Sequence, residues 1–125
     1  MKTILLSIAT LITATSGTIA VEAPKEEAAM LATLLDATQN NDLQKFQSIC
    51  DETMKAAITA EKLTQVSAQL SPLMKQGYKK DFMGVLNRVT AKTYYWKIDF
   101  DQDGVSDMLA ELSIRDGKAA GFIIR

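Results

Sequence analysis

The sequence predicts an α+β fold in which N-terminal helices pack on one face of a four-stranded antiparallel sheet. Before Gly77, apolar residues recur at helical spacing. After it they alternate with polar ones, the period of a half-buried strand. Every aromatic except Phe46 also lies beyond Gly77, where a pleated sheet best accommodates such side chains. Helices first and strands later is the order of an α+β domain.

The elements follow in chain order. Pro24 suits a helix's first turn, Glu26 and Glu27 suit its positive end, and Met30, Leu31, Leu34 and Leu35 supply its apolar face. Gln39 to Asp42 interrupts that pattern. Asn41 or Asp42 can cap a second helix, whose face is Leu43, Phe46, Cys50, Met54 and Ala57. A third starts at Thr59, presents Leu63, Val66, Leu70 and Leu73, and stops at Gly77; Ser71-Pro72 predicts a kink or break inside it. The predicted strands are Phe82 to Val89, Lys92 to Phe100, Asp107 to Arg115 and Ala119 to Ile124. Asp116-Gly117 is the hairpin signal between the last two.

Composition excludes several function classes. There are 125 residues, 47% hydrophobic and 23% charged, which suits one ordinary globular domain. With 14 Lys+Arg against 15 Asp+Glu, the chain lacks the basic footprint of a nucleic-acid binder. It contains no histidine, which removes Ser-His-Asp and Cys-His nucleophiles, His-ligated zinc and any imidazole general base. A single cysteine, Cys50, allows no internal disulfide and no Cys-cluster metal site. From Lys75 to Lys97 bases predominate, and from Asp99 to Glu111 every charge is acidic; a solvated sheet face with protective lysines accounts for the basic stretch.

Residues 1–20 have the layout of a secretory signal peptide. Lys2 is the positive start, Ile4 to Ile12 the apolar run, and Thr18-Ile19-Ala20 the small-residue cleavage site. The apolar run is shorter than the roughly 20 residues that span a bilayer. The expected protein is therefore exported, periplasmic or secreted. Residues 21–125 form its single domain, with no membrane span after cleavage.

One motif carries chemistry. Asp99 to Asp107 reads D-x-D-x-D-G-x-x-D, and calcium takes six to eight oxygen ligands from such alternating carboxylates and a main-chain carbonyl. The spacing resembles calcium loops of the EF-hand, dockerin and integrin β-hairpin types. By position, the resemblance implies Asp99, Asp101, Asp103 and Asp107 as side-chain ligands and Val105 as the carbonyl donor. Ala110 stands where an EF-hand needs its bidentate Glu, so the β-hairpin type is the nearer analogue. The expected ion is structural calcium; the competing reading is a polar turn.

The order of helices, the Leu63-Thr64…Leu70…Leu73…Gly77-Tyr78 segment and the closing Ile114-Arg115-Asp116-Gly117-Lys118-Ala119-Ala120-Gly121-Phe122-Ile123-Ile124 resemble the nuclear transport factor 2-like superfamily, the cystatin-like cone fold. Small secreted bacterial domains of that group are the most similar. The resemblance implies a curved, cone-like sheet with a pocket between sheet and helices, whose expected lining is Tyr78, Phe82, Tyr94, Trp96 and Met108. The competing reading is that these side chains fill the core. The leading expectation is a non-enzymatic exported domain that binds a small ligand or partner protein. Two alternatives stand beside it. One is a cone enzyme of isomerase or hydratase type using a buried carboxylate and a tyrosine, although the sequence assigns no catalytic residue. The other is a homodimeric structural module.

Overall fold

A computed structural model describes residues 23–125, and the expected signal segment at 1–20 lies outside them. The elements are α1 (Lys25–Asn40), α2 (Leu43–Gln47), α3 (Glu52–Ala57), α4 (Ala60–Lys75), β1 (Tyr78–Asn87), β2 (Lys92–Phe100), β3 (Met108–Arg115) and β4 (Lys118–Ile124). The strands form one antiparallel sheet in the order β1-β2-β3-β4. β1 and β4 do not meet, so the sheet is open. Bulges at Phe82/Gly84 and Ser113/Ile114 add local twist and bend it. The predicted fold class is therefore observed.

Helix ends are set by local hydrogen bonds. α1 follows Pro24 and ends at Asn41, in left-handed backbone at φ 53, whose N–H donates to the Ala37 and Thr38 carbonyls. The Asp42 carboxylate accepts from Lys45 N–H at 3.1 Å to start α2, and the Asp51 carboxylate from Met54 N–H at 2.8 Å to start α3. The Thr59 hydroxyl accepts from Lys62 N–H at 3.2 Å to start α4.

Leu31, Leu34 and Leu35 of α1 are almost fully buried, and α1 packs on α4 and α2. From the sheet come Tyr94, Trp96, Ile98 and Phe100 of β2, Ala110 and Leu112 of β3, and Ala119 of β4. Each fully buried leucine contributes roughly 1.5–3 kcal/mol relative to exposure. Among the described residues no helix covers the opposite face of the sheet, which presents Lys97, Asp81, Tyr95, Leu109 and Glu111 among others.

Four local expectations are corrected. The second predicted helix is two, α2 and α3, because Ile49–Asp51 leaves helical geometry to lie beside β4. Ala119 N–H donates to the Ile49 carbonyl at 2.8 Å, and Asp51 N–H to the Ala119 carbonyl at 2.9 Å. α4 is unbroken through Ser71-Pro72. Pro72 lies on the exposed side, where water can take the carbonyl it leaves unbonded, and the Ser71 hydroxyl donates to the Gln39 carbonyl at 2.8 Å, tying α4 to α1. The inward line of α4 is Leu63, Ser67, Leu70 and Met74, while Val66 is 40% exposed. Finally, β1 begins at Tyr78, four residues earlier than expected, and β3 at Met108.

Candidate functional site

The space between helices and sheet is largely closed. Tyr94 lies parallel-tilted to Trp96 with ring centres 6.3 Å apart, and both rings belong to the core. Tyr78 packs on Phe100 at 6.4 Å, and Met108 packs partly buried against the same core. Tyr78, Tyr94 and Met108 thus pack in or against the core and do not line the cleft described next. Burial pushes the Tyr94 phenol above its ordinary range, assisted by the Glu27 carboxylate; burial and then Asp36 do the same for Tyr78. Glu27 and Asp36 of α1 are both half-buried. The carboxyl of Asp36 is held low by its hydrogen bond to Lys45.

One opening is a cleft of about 480 Å³ between the first turns of α1 and strands β1 and β2. Ala23, Ala28, Leu31, Lys80, Asp81, Phe82 and Trp96 line it. Two of the expected residues, Phe82 and Trp96, are brought together there, with ring centres 5.4 Å apart and planes tilted by 58°. Lys80 and Phe82 lie opposite Ile98 and Trp96, which sets both on the helix-facing side of β1. Lys80 is exposed at the rim, and Asp81 reaches Lys97 across the strand at 3.6 Å. The cleft therefore combines an apolar aromatic floor with a cation at its edge, an arrangement suited to an amphipathic small molecule. Because β1 begins at Tyr78, alternation through Lys80 and Phe82 is the sequence signal that sets Lys80 at this site.

The aspartate loop is arranged differently from a cation cage. Asp99 belongs to β2, opposite Lys79. The Asp101 carboxylate lies 3.3 Å from the Lys79 ammonium, and Asp101 N–H donates to the Gly77 carbonyl at 2.9 Å. Asp103 and Asp107 are exposed, and the Val105 side chain packs against the core. Among the described residues no group of three or more His, Cys, Asp or Glu side chains could hold a metal ion. The loop's most constrained feature is instead the approach of Asp101 to Gly77. Gly77 has φ +100, and a Cβ there would fall 2.3 Å from Asp101 Oδ2. The Asp101 carboxylate thus lies against the junction between α4 and β1.

Two further groups stand out. The Cys50 thiol donates to the Phe46 carbonyl at 3.1 Å, and burial pushes its pKa up to about 11, with Asp51 assisting. Glu111, on the uncovered sheet face, has a side chain only 12% exposed. Its Oε2 is enclosed and lies within ion-pair reach of the Arg125 guanidinium, but off the hydrogen-bonding direction. Among the described residues no helix is long and apolar enough to cross a membrane. No protein-family model matches this chain, and no curated protein matches it.

Proposed function

We propose that the chain is an exported, non-catalytic binding domain that takes an amphipathic small molecule in the cleft over Phe82 and Trp96. The observation that carries this reading is the juxtaposition of the two tilted rings with the exposed Lys80 at one cleft. An apolar body would cover the rings, and an anionic or hydrogen-bond-accepting end would meet Lys80. Export rests on the residue 1–20 pattern, and the cone-fold resemblance supports a ligand site on this side of the sheet.

Trp96 is the sole tryptophan, so its emission reports on the site directly. The test is titration with the anionic dye anilinonaphthalene sulfonate, read as energy transfer from Trp96. Saturable transfer that Phe82→Ala and Lys80→Glu each weaken supports the reading. Transfer unaffected by both substitutions contradicts it.

A second reading, a homodimer through the uncovered sheet face, is favoured by a shallow apolar depression there. Met83, Gly84, Val85, Leu86, Tyr95 and Leu109 line it, with Met83 59% and Leu86 50% exposed. Sedimentation across concentration, with Leu86→Lys as the disrupting variant, distinguishes that assembly from a monomer.

A further inference from the structure

An edge strand leaves the main-chain groups of every second residue turned outward. On β4 the phase is fixed just past its end. Leu109 N–H donates to the Arg125 carbonyl at 2.6 Å, and Arg125 N–H to the Leu109 carbonyl at 3.0 Å, so Arg125 faces β3. Stepping back along the register, Ile124 lies opposite Ala110, Ile123 opposite Glu111 and Phe122 opposite Leu112. Ile123 therefore also bonds toward β3, while the N–H and C=O of Phe122 and of Ile124 point away from the sheet.

Past the bulge at Ser113/Ile114 the same phase turns Ala119 outward, and there the molecule supplies its own partner. Ile49–Asp51 runs parallel to β4 and takes both main-chain groups of Ala119. That added strand ends at once, because Asp51 caps α3 and the chain departs as a helix. Beside the edge it leaves open lies a second groove, about 250 Å³, strongly apolar and walled by Met54, Ile58, Leu63, Val66, Phe122 and Ile124 among others. Val66 is 40% and Ile123 51% exposed. The β1 edge is different: Lys79, Lys80 and the bulge at Met83 blunt it.

We propose that Phe122–Ile124 of β4 is a docking edge for an extended peptide segment of a partner protein, which continues the strand addition begun at Ala119 and places alternate apolar side chains in the groove. The open groups name the class of partner. Alternating main-chain donors and acceptors are satisfied by another strand, whereas an acyl chain in the same groove would cover them without bonding them. The groove's volume holds a few side chains of a strand and no folded domain. This site shares no residue with the cleft over Trp96, so the two readings stand or fall separately.

The test uses amide exchange by NMR on the full mature chain. The probe is a pool of short, end-blocked peptides with Val, Ile, Leu or Phe at alternate positions and Thr between. In the free protein the amides of Phe122 and Ile124 should exchange fast and those of Ile123 and Arg125 slowly. Peptide should slow Phe122 and Ile124. Ile124→Pro removes one outward N–H while sparing the ladder to β3, and Val66→Glu places a charge at the exposed groove wall; each should weaken binding about tenfold. N-methylation of the peptide on one alternate set of residues should abolish binding and on the other set leave it intact. Failure of every peptide to protect those amides overturns the proposal, as does equal binding by both N-methylated sets. Protection that appears without peptide as protein concentration rises, and that Ile124→Pro removes, would make the occupant a second copy of this chain and overturn the proposal as well.

Discussion

Replacing Gly77 by alanine probes the junction on which the sheet's geometry depends. Gly77 links α4 to β1 at φ +100, backbone that L residues adopt at a cost of about 1–3 kcal/mol. A Cβ there would also stand 2.3 Å from Asp101 Oδ2 and 3.2 Å from Asp101 Cγ. The carboxylate must then swing away and give up its contact with Lys79. That exposed pair contributes roughly 0–1 kcal/mol. The total expected for Gly77→Ala is about 2–3 kcal/mol, which for a domain of this size lowers the melting temperature by roughly 10 °C or more. Urea unfolding followed by far-ultraviolet circular dichroism measures it. A double-mutant cycle separates the two contributions. In an Asp101→Ala background the close approach to Oδ2 and Cγ is gone, and only the backbone strain of about 1–3 kcal/mol should remain. A loss below about 0.5 kcal/mol in the wild-type background, or identical losses in both, would refute the reasoning.

Three other outcomes follow from the same structure. The Cys50 thiol, pushed from 9.0 to about 11, favours folding while protonated in both states. Its contribution is fully present below the unfolded pKa and is lost as pH rises from about 9 to 11; Cys50→Ala should lower stability at neutral pH but flatten that alkaline decline, as read by urea midpoints across pH. Removing the counter-charge of Glu111 with Arg125→Ala should cost more stability than Glu111→Gln, by on the order of 1 kcal/mol, because the first leaves an enclosed carboxylate uncompensated; equal losses would show that the pair is solvent-screened. Millimolar calcium should leave the melting temperature unchanged, since Asp101 is engaged with Lys79 and the loop's carboxylates do not gather into one group; a rise that Asp101→Ala plus Asp103→Ala removes would contradict this.

The fold was legible because both periodicities were strong. The alternation of Tyr94, Trp96, Ile98 and Phe100 marked the inward face of β2, and Asp116-Gly117 marked the β3–β4 hairpin, with φ of 53° and 75°. What escaped the sequence depended on tertiary contact. Cys50 sits on the apolar face that a single continuous helix would have, yet Ile49–Asp51 leaves the helix because β4 offers Ala119 a strand partner there. Ser71-Pro72 is a breaker by local rule, but the packing of α4 on α1 outweighs one lost hydrogen bond on the exposed side. The aspartate spacing suggested an ion, while the Asp101 carboxylate meets Lys79 and its main-chain N–H bonds Gly77, residues more than twenty positions away that no local pattern connects to it. Of the five expected pocket residues, alternation alone could not say which rings fill space and which border it; Phe82 and Trp96 border the cleft because the first turns of α1 leave β1's middle uncovered.

The most direct test of the central reading is a chemical-shift map of the labelled protein titrated with anilinonaphthalene sulfonate. The changes should centre on Ala28, Leu31, Lys80, Phe82 and the Trp96 indole, and leave Tyr78, Phe100 and Leu112 unmoved. Changes spread through those interior residues, or confined to Ile58 and Val66 with Trp96 silent, would contradict it.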